Sequence, residues 1–194
     1  MGTAPRQRLT YSEYLAAERL SEVRHEYLRG EVWAMAGGTP EHGRLAANVI
    51  AELRGALRGR PCAVFTSDVR VRVAQTDRST YPDVSVVCGE RTTADDDPDA
   101  LTSPIVIVEI LSESSEADDR GEKWAHYRRL ASLREYVLVS QREPRIEVFH
   151  REPDGRWMFS EAGAGQHAAL GSVRVTLSVD AVYEDPLARA GRSG

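Results

Sequence analysis

An α/β fold, a mixed sheet flanked by helices, is what this sequence predicts. Three observations carry it. A helix-patterned segment (37–61) precedes three strand-patterned segments, which lead to a second helical segment (116–131) and a further strand (135–140). The segment PIVIVEIL (104–111) is apolar at both alternating sets of positions, as in a strand covered on both faces. The composition, 41% hydrophobic and 28% charged over 194 residues, is that of a globular chain with room for one full core and excludes a disordered one. We expect a single domain over 10–185, with flexible ends at 1–9 and 186–194.

Each element has a local reason. Residues 10–18 read as a short helix with a start at Ser12–Glu13. Residues 26–36 read as a hairpin, with Arg29-Gly30 as its turn. Thr39 is an N-cap and Pro40 suits the first helical position, while Gly59 and Pro61 stop the helix. Leu45, Val49, Leu53 and Leu57 give that helix an apolar face. Residues 62–73 read as one strand, with Val69, Val71 and Val73 on one face and Arg70 and Arg72 on the other, a face that could touch a nucleic-acid backbone but is more commonly solvated. Residues 75–80 read as a polar turn and 84–88 as a strand. Residues 90–103 read as a mobile loop, and 116–131 as one helix. Segments 146–151 and 156–161 form a hairpin around Pro153-Asp154-Gly155, and 173–177 is the last strand.

The charge balance is −5, which argues against a protein that coats nucleic acid non-specifically. No apolar run approaches the roughly 18 residues needed to cross a bilayer. The first residues have no signal-peptide core, and Arg6 stands where myristoylation needs Ser or Thr. Cys62 and Cys88 form no CxxC pair, so reduced thiols and a cytoplasmic location are expected.

Glu109 is the strongest chemical signal, because a carboxylate inside a doubly buried strand is costly unless it is paired or binds a metal. A strand-end Glu that escapes to water or to an arginine is the alternative. Asp83 follows Pro82 at the mouth of the next strand; two carboxylates on neighbouring strands suit Mg²⁺ or Mn²⁺, although Asp after Pro is also common in turns. Lys123 is the single lysine beside 24 arginines, which marks it as a position where a compact ammonium is needed; a solvated pair with Asp119 at i−4 is the plain alternative. His42 in the first turn of its helix and Glu31 on the hairpin are weaker candidates. There is no HExxH, GxSxG, P-loop or strand-following GxGxxG.

The stretches YSEYLAAE, RHEYLRGEVWAMAGGTPEHGRLAANV, YPDVSVV, PIVIVEILSESSEADDRGEKWAHYRRL and LREYVLVS, in that order, resemble the PD-(D/E)XK nuclease superfamily. Within it they resemble the bacterial restriction endonuclease domain family, in which the lysine is moved to the following helix. The resemblance implies a restriction-endonuclease-like core, αβββαβ with a mixed sheet, to which an N-terminal helix and hairpin and a C-terminal β-hairpin are added. It matches Pro82-Asp83 to the PD element and Glu109 to the second acidic position. Leu111 replaces the in-register lysine, and Lys123 takes its part. Glu31 and His42 match recurrent positions that complete the site. The implied activity is a metal-dependent endonuclease: Asp83, Glu109 and the carbonyl of Ile110 hold Mg²⁺ or Mn²⁺, and Lys123 stabilises developing charge, so that Lys123→Ala silences the enzyme and spares the fold. DNA is the implied partner, with a homodimer built on the 146–161 hairpin, no membrane and no organic cofactor. A catalytically silent scaffold that binds DNA or protein, and a structure-selective repair-type nuclease, are the competing readings.

Overall fold

The computed structural model describes residues 8–35 and 37–190. In chain order the elements are α1 (Tyr11–Glu18), β1 (His25–Leu28), β2 (Glu31–Ala34), α2 (Pro40–Ala56), β3 (Cys62–Thr66), β4 (Arg70–Val73), β5 (Arg78–Thr80), β6 (Val84–Cys88), β7 (Thr93–Ala94), β8 (Asp97–Leu101) and β9 (Val106–Leu111). There follow α3 (Glu116–Asp118), a π-helical turn (Asp119–Lys123), α4 (Trp124–Tyr127), β10 (Glu135–Ser140), β11 (Arg145–Arg151), β12 (Trp157–Gly163), β13 (His167–Leu170), β14 (Val175–Ser178), α5 (Val179–Val182) and α6 (Pro186–Ala190).

Two six-stranded sheets carry the fold. The central one has the order β12-β11-β10-β9-β6-β3, the second β2-β1-β5-β4-β8-β7, and β13 pairs with β14 alone. The β9–β10 pair is parallel and its neighbours are antiparallel, so the central sheet is mixed as expected. The succession α2, β3, β6, β9, α3–α4, β10 is the αβββαβ core. Each face of the central sheet is sealed differently. Leu45, Val49 and Leu53 of α2 pack on Val84, Val106, Val108 and Ile110, with β13, β14 and α5 beside them. The opposite face sets Ile107, Leu111 and Leu138 against Val71 and Val73 of the second sheet and against Tyr127 and Leu130. Burial on both faces explains why β9 has no polar side except at Glu109.

Local chemistry explains the ends. Thr10, rather than Ser12, caps α1: its hydroxyl accepts the Glu13 N–H and the Glu13 carboxylate accepts the Thr10 N–H, a reciprocal capping box. Thr39 caps α2 as expected, accepting the His42 N–H at 3.1 Å. Arg29 (φ 50°) and Gly30 (φ 93°) make the two-residue turn of β1–β2. A Cβ on Gly30 would lie 2.8 Å from the Arg8 Cβ.

Several expectations are corrected. The stretch 62–73 is two strands in different sheets, because a turn closed by the Val69 N–H to the Thr66 carbonyl redirects the chain. Part of the expected polar turn is β5. The expected mobile loop contains β7 and β8, whose Asp97 is fully buried and receives Arg70 at 2.8 and 2.9 Å. Arg72 is no solvated or backbone-contacting side chain: it lies 3.6 Å over the Tyr11 ring and pairs with Asp77 and Asp96. The helix expected at 116–131 stops at Tyr127, because Leu130 and Leu133 turn into the core. The last strand is preceded by the unanticipated β13. Pro186–Ala190, placed in a loose tail, is helical; residues 1–7 and 191–194 of the expected flexible ends, and Ala36 of the hairpin, lie outside the described residues. Cys62 and Cys88 are disulfide-bonded, not reduced: they face each other across β3–β6 with Cα atoms 4.0 Å apart. Among the described residues no helix is long and apolar enough to cross a membrane.

Candidate active site

The antiparallel pairing of β6 with β9 builds the first half of the site. Val84 lies opposite Val108, so Asp83 at the mouth of β6 meets Glu109. The Asp83 N–H donates to Glu109 Oε2 at 3.2 Å, and the Ile110 N–H donates to Asp83 Oδ2 at 2.7 Å. Ile110 thus reaches the site through its backbone, with its N–H on the carboxylate. His42, in the first turn of α2, places Nε2 3.1 Å from Asp83 Oδ2. That hydrogen bond raises the His42 pKa against the opposing effect of burial.

Strand alternation aims Glu109 at the other face. Ile107 and Leu111 pack there and Glu109 lies between them, beneath Tyr127. Tyr127 donates its hydroxyl to Glu109 Oε1 at 2.8 Å. Lys123 closes the site, with Nζ 3.0 Å from Asp119 Oδ1, 3.4 Å from Glu109 Oε1 and 3.5 Å from Glu26 Oε1. Lys123 is buried, so the reading of a solvated i−4 pair is corrected: the pair with Asp119 exists, but inside the protein. The π turn carries both residues inward; π insertions are frequent at functional sites.

Glu31 is not brought in. It is exposed on β2, where its partner is Arg8 at 3.4 Å. Glu26, one strand earlier, occupies the place the hairpin contributes. It accepts Thr80 Oγ1 at 2.5 Å and Arg78 Nη2 at 3.0 Å. Glu26 had a faint signal, a carboxylate among aromatic residues in HEYL. Tyr127 was legible only as part of an apolar stripe.

Burial sets the electrostatics. Desolvation pushes the Glu109 carboxyl well above its usual range; Asp119 and Asp83 push the same way, and Lys123 and the Tyr127 hydroxyl oppose them. Burial also raises Asp119. For Lys123 burial alone would lower the pKa, but Glu109, Glu26 and Asp119 outweigh it and hold the ammonium charged. Four carboxylates (Asp83, Glu109, Asp119 and Glu26) therefore meet two permanent cations, Lys123 and Arg78.

That excess of carboxyl groups over cations fits a hard divalent cation. Among the described residues no group of three or more His, Cys, Asp or Glu side chains is gathered to hold a metal by itself. Magnesium, however, is commonly bound through one or two carboxylates with water and phosphate completing the shell. Asp83 and Glu109, neighbours joined by the Asp83 N–H on Glu109 Oε2, are the two carboxylates that would form such a pair.

Comparison with known proteins gives the family and the fold. Residues 11–180 match the family described as Uma2, "Putative restriction endonuclease". The chain is 33% identical over 181 residues to the "Uncharacterized protein slr1290" of Synechocystis sp., covering 93% of this chain and 94% of that protein. It is 33% identical over 162 residues to "Uncharacterized protein sll1609" of the same organism, covering 84% and 91%. The fold matches the crystal structure of "a putative nuclease belonging to DUF820" from Anabaena variabilis, with a TM-score of 0.72 at 18% identity over 90% of this chain and 97% of that one.

Proposed function

Because the chain belongs to the Uma2 restriction endonuclease family, we propose that it is an endonuclease that hydrolyses DNA phosphodiester bonds with the help of Mg²⁺ or Mn²⁺. The observation that carries the reading is the Asp83–Glu109 pair, locked by two backbone N–H donors and sharing one cluster with Lys123. Asp83 and Glu109, with the Ile110 backbone beside them, would hold the ion. When bound, it supplies charge neutralisation at the phosphate and lowers the pKa of the attacking water.

The other residues act around that pair. Tyr127 orients the Glu109 carboxylate by its hydroxyl. His42 holds a proton at Nε2 against Asp83 and keeps that carboxylate from turning. The Lys123 ammonium provides a fixed positive charge on the Glu109 side, where negative charge builds on the phosphate as water attacks. A homodimer belongs to the same reading, whereas the cytoplasmic location expected from reduced thiols loses that support to the Cys62–Cys88 disulfide. The dimer is supported by β12, an outer strand whose Met158 and Phe159 are both more than half exposed.

The test is calorimetric titration of Mn²⁺ into the wild type and Glu109→Gln, with the same samples then incubated with supercoiled plasmid. Saturable binding and nicking that are both lost in the variant support the reading. Binding without cleavage of duplex, branched or single-stranded DNA would favour a silent binding protein, and absence of metal binding would overturn the site.

A further inference from the structure

Among the described residues Arg78 is one of the largest fully buried side chains, with its guanidinium carbon 5.7 Å from the Trp33 ring centroid. It lies on β5 of the second sheet. Its Nη2 donates to Glu26 Oε2 at 3.0 Å and to Asp118 Oδ2 at 3.2 Å, while its Nε and Nη1 have no hydrogen-bond partner. A buried guanidinium with two unpaired nitrogens is expensive, and apolar residues of similar volume commonly replace buried ion pairs without loss of stability.

Its two partners lead to one place. Glu26 lies 3.5 Å from the Lys123 Nζ, and Asp118 directly precedes the π turn that carries Asp119 and Lys123. Of the three carboxylates around Lys123, Asp119 shares its helix and Glu109 belongs to the central sheet; Glu26 alone comes from the second sheet. Thr80 completes the link, donating to Glu26 and lying 3.4 Å from the Tyr127 hydroxyl that holds Glu109. We propose that Arg78 and Glu26 are the positioning residues of Lys123: Arg78 pins Glu26 and the start of the π turn, and Glu26 fixes the ammonium from the second sheet. The proposal rests on the nuclease reading only for its kinetic consequence.

The chain's single lysine makes a direct test possible. Lysine labelled with ¹⁵N yields one Nζ resonance, that of Lys123, in the full-length metal-free protein. In the wild type its protons should exchange with water more slowly than those of free lysine, because Lys123 is buried and paired with three carboxylates. In Glu26→Gln and Arg78→Met the resonance should shift and this protection should fall, whereas the remote Arg156→Ala leaves both unchanged. On plasmid, the first two variants should lower kcat with KM unchanged. Free exchange of Lys123 in the wild type overturns the proposal even if a variant fails to fold. Folded variants with the wild-type resonance and protection overturn it as well. If no protein nicks DNA, the nuclease reading fails, and the resonance still decides whether Glu26 and Arg78 position Lys123.

Discussion

Lys123 tolerates burial because three carboxylates lie within 3.5 Å of its Nζ. The same arrangement means that it cannot be removed without consequence for the fold, contrary to what its sequence context implies. Substitution Lys123→Met keeps the volume and strips the charge. Loss of one such electrostatic contact typically costs on the order of 10² to 10³ in rate. Leaving buried carboxylates without their cation costs roughly 3 to 5 kcal/mol. Both losses are expected, the first in plasmid nicking and the second in urea unfolding; a variant that nicks at the wild-type rate would remove Lys123 from the mechanism. Glu109, Asp83 and Lys123 were legible as residues because each breaks a local rule: a charge in an apolar strand, an acid after Pro at a strand mouth, a lone lysine among arginines. Glu26 and Tyr127 break none strongly, and their chemistry arises only from what lies across from them.

Between residues and fold, the second sheet depends on Asp97 of β8. Burial raises its pKa, but the hydrogen bonds from Arg70 and Tyr11 outweigh this and hold it below the ordinary 3.8. A carboxylate depressed in the folded state contributes stability above its unfolded pKa and loses it as pH falls through the lower, folded value. Asp97→Asn should therefore cost roughly 3 to 5 kcal/mol at neutral pH, by leaving Arg70 unpaired. The gap between variant and wild type should close below pH 3.8, as thermal melts across an acid series would show. The outer strand β12 raises a different question. It pairs with β11 without a register break over seven residues, and Trp157–Ser160 carries no charge or proline to blunt the edge. If β12 is the dimer contact, Met158→Lys should convert a sedimenting dimer to monomer with the near-UV spectrum unchanged; a variant that sediments as the wild type places the contact elsewhere.

Across the whole molecule, two sheets converge on one cluster. The central sheet delivers Asp83 and Glu109, the second delivers Glu26 and Arg78, and the broken helix between β9 and β10 delivers Asp119 and Lys123. The disulfide ties β3, the outer strand next to β6, to the strand that Asp83 enters. Cross-linking residues 26 apart removes loop entropy from the unfolded chain worth about 3.5 kcal/mol. Dithiothreitol should accordingly lower the melting temperature of the wild type and leave a Cys62→Ala, Cys88→Ala double variant unmoved; equal melting of the wild type with and without reductant would mean that the thiols are free.

Periodicity, capping residues and turn dipeptides are short-range properties, and they sufficed for α2, β6, β9, β10, the β11–β12 hairpin and the αβββαβ order. Asp83, Glu109 and Lys123 stood out by composition and by a charge in an apolar strand, and the fold brings them into one cluster. Long-range contacts settled the rest. The split of 62–73 between two sheets, the capture of Arg70 by Asp97, the Cys62–Cys88 bond and the exchange of Glu31 for Glu26 each depend on residues far apart in the chain. A strand pattern says which face a side chain takes, not which strand lies opposite. For a buried charge the partner across the gap sets both its cost and its role.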